Sequence, residues 1–176
     1  MTHHPEDLPC VRLRAMEPED LELLYTIEND MQLWCVGTAN VPYSRFALRQ
    51  FIEQQTGDIY TDKQVRLIAE NAGGEVVGMA DLIGFSPAHM RAEVGIIILS
   101  RHQGKGYATA ALCQLEHYAR TFLRLHQLYA IVAKTNSSSE RLFSRRGFSV
   151  SGTLSHWLCQ ADGFHDALLM QKILDE

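Results

Sequence analysis

The hydrophobic period of this chain changes around residue 100. Ile96-Ile97-Ile98-Leu99 is an unbroken apolar run, and Arg101-His102-Gln103-Gly104-Lys105-Gly106 follows it. Beyond the glycines, Ala108, Ala111, Leu112, Leu115, Ala119 and Phe122 recur every three or four residues. The run suits a central strand buried on both faces, and the spacing after it is the stripe of an amphipathic helix. Gly104 and Gly106 let the backbone turn tightly and approach a ligand closely. The helix then points unpaired N–H groups and the positive end of its dipole at the same spot. That is an anion site, best matched to phosphate.

The flanking segments extend this unit into an α/β domain with a mixed sheet. Val11-Arg12-Leu13-Arg14 alternates like a strand, and Glu17-Pro18-Glu19-Asp20 opens a helix carrying Leu21, Leu24, Tyr25 and Ile27 towards the core. Ser44 caps a second helix whose stripe includes Phe46, Phe51 and Ile52. Met31 to Pro42 between them reads as an irregular connection. Strands are expected at Val65–Ala69, Val76–Ile83, Arg91–Leu99 and Leu128–Ala133, with a hairpin turn at Asn71-Ala72-Gly73-Gly74. Asn136 caps a short helix that Gly147 ends, and strands near Phe148–Leu158 and Ala167–Ile173 meet at Asp162-Gly163. Residues 1–9 are expected to be a frayed tail before a single domain over 10–176.

Bulk properties narrow the class. A chain of 176 residues, 46% hydrophobic and 21% charged, has the balance of one soluble globular domain. Its apolar runs fall short of the roughly 20 residues that span a bilayer, and its start lacks the features of a signal peptide. Sixteen basic against twenty-one acidic residues give a net charge of −5, the wrong sign for a duplex-binding surface. Cys10, Cys35, Cys113 and Cys159 have no CxxC spacing, which fits reduced thiols in a cytoplasmic protein and neither a disulfide framework nor a metal site.

Three nucleotide-binding loops compete for Gln103 to Ala108. A Walker A loop needs GK followed by Ser or Thr, which is missing here. A dinucleotide fingerprint needs Gly or Ala where Thr109 stands, and belongs in the first βα unit of a doubly wound fold. The segment resembles motif A of the GNAT superfamily of N-acetyltransferases, Q/R-x-x-G-x-G/A, through Gln103, Gly106 and Ala108. Asn136 to Phe148 resembles the same family's motif B, and the element order agrees from about residue 11 to 174.

The resemblance implies a mixed, mostly antiparallel seven-stranded sheet flanked by about four helices, with strands four and five splayed around acetyl-CoA. It implies pantetheine against the backbone of Ile97, Ile98 and Leu99, and pyrophosphate on the amides of Gln103, Gly104, Lys105, Gly106, Tyr107, Ala108 and Thr109. Asn136, Ser139, Arg141 and Phe143 would meet the cofactor from the other side, and Lys105, Lys134, Arg141 and Arg145 are basic residues within its reach. A neutral amine then attacks the thioester carbonyl and CoA leaves as a thiolate. An alkylammonium with a pKa near ~10 must lose a proton first, and Glu93 is the candidate base. Alternation places it on one strand face with Gly95 and Ile97. Many relatives carry Tyr where Phe143 stands, as the acid for the thiolate; without it either the chemistry is slower or His156, His165 or Tyr129 substitutes.

Within the superfamily the chain looks most like the branch of bacterial spermidine/diamine acetyltransferases and ribosomal-protein N-terminal acetyltransferases. Asn29-Asp30-Met31, Trp34, Arg91-Ala92-Glu93 and His102 to Gly106 carry that likeness. Glu28, Asp30, Trp34 and Asp81 are the expected acceptor-binding residues, since a polycation needs spaced carboxylates. Two departures weaken the polyamine expectation: Cys35 to Asn40 holds no acid, and Gly84 stands where an acid would help. A protein α-amine, an amino sugar, an amino acid or an aminoglycoside is the competing acceptor. A catalytically weak acyl-CoA-binding domain is the competing class. No nucleic acid or membrane partner is expected, and an edge strand near the C-terminus predicts a homodimer or higher homo-oligomer.

Overall fold

Alternating side chains between residues 11 and 173 build one sheet. The structure, a computed structural model, describes residues 8–30, 41–160 and 162–174. Its strands are β1 (Val11–Ala15), β2 (Val65–Asn71), β3 (Val76–Ser86), β4 (Arg91–Ile98), β5 (Gln127–Ala133), β6 (Ser149–Gln160) and β7 (Gly163–Ile173). They lie in the order β1-β2-β3-β4-β5-β7-β6, antiparallel throughout except for β4 beside β5. The expected fold class is the one observed.

Helices cover both faces. On the front, α1 (Leu21–Glu28) and α2 (Arg45–Glu53) bury Leu24, Ile27, Leu48 and Ile52 against Ile68 and Met79. Ser44 caps α2 by accepting from the Ala47 N–H at 3.1 Å. A short α3 (Ile59–Asp62), too brief to show a period in the sequence, buries Ile59. On the back, α4 (Tyr107–Thr121) and α5 (Ser137–Arg145) pack Leu112, Leu115, Ala119 and Phe143 on Leu82, Val94, Leu128 and Val132. Phe46 and Phe122, expected on buried stripes, are 70% and 69% exposed. Leu48 takes the inward place on α2, and Phe122 lies past the end of α4, stacked on Tyr118.

The N-terminal boundary also shifts. Leu8 packs on the cluster of Val11, Ala69 and Val77, and Pro9 lies so close to Gly106 that a Cβ there would meet its Cδ at 3.0 Å. These two residues therefore belong to the domain, not to a tail. Residues 1–7 lie outside the described residues.

The parallel contact between β4 and β5 is brief. Arg91, Ala92 and Glu93 pair with Gln127, Leu128 and Tyr129, and the register ends there. From Val94 onward β4 keeps only its β3 partner, while β5 continues against β7 to Ala133. The two strands thus open into a cleft whose vertex is the Glu93–Tyr129 pair. Ile96 and Ile97 are half-buried for this reason, although the apolar run suggested a strand covered on both faces.

Candidate active site

The backbone lining the cleft can be sorted by alternation. Leu99 spends its N–H on the Val77 carbonyl at 2.9 Å, and its carbonyl accepts from the His102 N–H at 2.8 Å. Its expected pairing with pantetheine is corrected by that commitment. In an antiparallel ladder alternate residues face the same neighbour, so Ile97 also turns its polar groups to β3, and its part is corrected likewise. Ile98 and Ile96 present their N–H groups to the side that β5 has left. The Gln103 side chain donates from Nε2 to the Ile98 carbonyl at 3.0 Å and so ties the phosphate loop to the rim of the cleft.

The loop is built as an anion cradle. Gly104 and Gly106 have φ of 74° and 86°, where a side chain would be strained. Gly106 is the N-cap of α4, with no side-chain cap and no acidic residue in the first turn. The first internal bond joins the Ala110 N–H to the Gly106 carbonyl at 3.1 Å, which leaves the amides of Tyr107, Ala108 and Thr109 at the open helix end. Lys105 does not reach forward: its Nζ donates to the Arg101 carbonyl at 2.9 Å.

Across the cleft, Asn136 Oδ1 caps α5 by accepting from the Ser139 N–H at 3.1 Å and the Ser138 hydroxyl at 2.8 Å. Among the described residues its amide Nδ2 has no partner, which makes it the donor available to a ligand. Arg141 and Arg145 are exposed on the same helix. Phe143 is only 6% exposed and stacks edge-on with Phe148 at 5.0 Å, so it is a core residue rather than an open wall of the cofactor site.

Glu93 sits at the vertex on the front face, half-buried. Its carboxylate makes no hydrogen bond or ion pair among the described residues, and burial raises its pKa above the ordinary value. Arg91, two positions away on β4, is exposed and makes no ion pair with it among the described residues. The acidic residues expected for the acceptor are already engaged. Arg66, largely buried, donates from Nη1 to Glu28 at 2.5 Å and from Nη2 to Asp81 at 3.1 Å. Asp81 lies against Gly95, two positions from Glu93, and burial raises its pKa despite Arg66. Sequence reasoning missed Arg66, although alternation on β2 turned it to this face. Asn29 bonds the Tyr43 backbone, Asp30 ends the described stretch after α1, and Trp34 lies outside the described residues.

The proposed substitute acids separate by position. His165 is bound to Asp162 at 2.7 Å near the β6–β7 turn, and His156 is exposed at an irregularity of β6. Only Tyr129 stands beside Glu93.

Comparison with known proteins decides the family. The model of the acetyltransferase (GNAT) domain matches residues 11–149. The chain belongs to the GNAT acetyltransferase family. It is 34% identical over 153 residues to spermidine N(1)-acetyltransferase of Escherichia coli (strain K12), spanning 83% of this chain and 76% of that one. It is 32% identical over 142 residues to the enzyme of the same name from Vibrio cholerae, covering 81% and 80%. A solved structure of the Vibrio cholerae spermidine N-acetyltransferase with CoA and spermine superposes with a TM-score of 0.83 at 28% identity, over 93% of this chain and 95% of that one. This GNAT protein is accordingly an acetyl-CoA-dependent N-acetyltransferase, and the cleft between β4 and β5 is where its chemistry is sought.

Proposed function

We propose that this GNAT protein transfers acetyl from acetyl-CoA to a primary amine of a diamine or polyamine such as spermidine, with Glu93 as general base. The observation that carries the mechanism is the end of β4–β5 pairing at Glu93 and Tyr129, which leaves a partnerless carboxylate at the vertex of an open cleft. Pyrophosphate would rest on the amides of Tyr107 to Thr109, and pantetheine would run between Ile98 and Asn136. The thioester then falls near Gly95, within reach of an amine on the front face. Backbone N–H groups of Ile96 and Ile98 would polarise its carbonyl. Glu93 takes the ammonium proton, the amine attacks, and the C–S bond breaks to release thiolate. With Phe143 in the core, a thiolate of pKa about 8.5 leaves without a dedicated acid.

The acceptor reading draws on the spermidine enzymes among its relatives. It also draws on the front-face cluster, where Glu28 and Asp81 with Arg66 carry one net negative charge when ionised. That is enough for one distal ammonium beside the reacting amine. Thiol release from acetyl-CoA should be fast with spermidine and diamines and slow with peptides. Release with peptides alone would overturn the acceptor, and CoA binding with no release for any amine would instead indicate a binding domain. Glu93→Gln should lower kcat about 100-fold or more at neutral pH; full activity removes Glu93 from the mechanism.

A further inference from the structure

A base at the bottom of a cleft has to be emptied on every turnover. Glu93 accepts one proton from each ammonium, and the bound acceptor and cofactor then stand between it and solvent above. The groups facing it from neighbouring elements are Asp81 on β3, Arg66 on β2, Glu28 at the end of α1 and Arg91 on β4. Arg66 is locked between Glu28 and Asp81 and lacks a site to accept a proton. Asp81 and Glu28 are engaged by that same guanidinium.

Tyr129 differs from all of these. It is directly paired with Glu93 across the parallel contact, so the two side chains lie next to one another on the front face. Its hydroxyl makes no hydrogen bond among the described residues, and it rests beside Gly84, where even a Cβ would come within 3.5 Å of it. Tyr129 also lines a recess of about 290 Å³, open to solvent, together with Arg91, Gln127, Leu169 and Gln171. Gln127 and Gln171 are bonded to each other at 2.7 Å in its wall, and water enters the recess from its open side.

From this arrangement we infer that Tyr129 relays the proton from Glu93 to water in the Gln127–Gln171 recess. It acts through Glu93 and is a positioning residue that does not touch substrate. The step balances: the protonated Glu93 gives its proton to the phenol oxygen of Tyr129. Tyr129 gives its own proton to a water in the recess, and Glu93 returns to carboxylate. The inference rests on the reading of Glu93 as base.

Tyr129→Phe keeps the ring and removes the relay. CoA affinity and Tm should stay near the parent values while kcat falls about tenfold, within the usual range for proton-transfer assistance. N-methylimidazole, which carries a proton but cannot retain an acetyl group, should restore kcat in this variant with rising concentration and leave the parent unaffected. Parent-like kcat in Tyr129→Phe, alongside an impaired Glu93→Gln, would overturn the relay and leave the base standing. A loss that N-methylimidazole does not restore would equally overturn it, since packing alone would then explain the defect. Full activity in Glu93→Gln would remove both readings together.

Discussion

At the scale of single residues, chemistry and stability oppose each other at Glu93. Its pKa is raised by burial, with no compensating cation in contact. The role proposed for Glu93 requires the carboxylate, so activity is expected above the raised pKa and should be lost as pH falls through it. The acid limb of kcat/KM should therefore lie above ~4.3, the ordinary value for Glu, and should vanish in Glu93→Gln. Stability runs the other way. A carboxyl whose folded pKa is raised favours the folded state below its unfolded pKa, and that contribution is lost as pH rises through the folded value. Glu93→Gln should thus unfold at the same or higher Tm at neutral pH, as thermal melts across pH can check. Alternation alone puts Glu93 on one strand face with Gly95 and Ile97, and the register agrees. It could not show that Arg91 leaves Glu93 unpaired, nor that Arg66 occupies Glu28 and Asp81, because those outcomes depend on how far long side chains reach.

At the scale of elements, the glycine loop and α4 were legible because glycine positions and helical period are local signals. Gly104 and Gly106 both adopt left-handed backbone, which gives the tight turn expected of them. Less local features escaped. Leu99 looked equivalent to Ile98 in an apolar run, and only the ladder to Val77 shows that its polar groups are spent. Phe46 and Phe122 fit a helical stripe yet face solvent, since a stripe's edge is fixed by what packs against it. The loop also makes a contact across the chain, with Pro9 against Gly106. Gly106→Ala would add a Cβ at 3.0 Å from Pro9 on a backbone with φ 86°. The strain should cost about 1–2 kcal/mol of stability. Calorimetric titration should show weakened binding of CoA but not of pantetheine, which lacks the pyrophosphate. Equal losses for both ligands would mean that the whole cleft, and not the anion cradle, is disturbed.

Across the whole molecule, the cleft has two walls that diverge, and something must hold the far wall without strand pairing. β5 reaches β4 only at its start, so α5 and the β5–β7 half are tied to the rest through the back face. One carboxylate adds an ionic tie to the apolar packing there. Glu116, buried on α4, accepts from Arg146 at 2.6 Å just beyond α5 and from Lys172 at 2.8 Å on β7. Its second oxygen and the Arg146 Nε are buried without a partner, so the cluster is held by charge more than by complete hydrogen bonding. No sequence pattern signals such a triad, because its members lie 30 and 56 residues apart. Glu116→Gln would leave two cations facing a neutral amide. The loss should be about 2–4 kcal/mol, below the full value for a buried pair because Arg146 and Lys172 retain some solvent. If the triad only stabilises the fold, CoA affinity measured well below Tm should be unchanged. If it sets the angle between the walls, CoA should bind more weakly even where the variant is fully folded. The second outcome is expected here, since Asn136 rides on the helix that Arg146 anchors. Adding Arg146→Met to Glu116→Gln should recover part of the stability by removing one orphaned charge, which a double-mutant cycle would read as coupling.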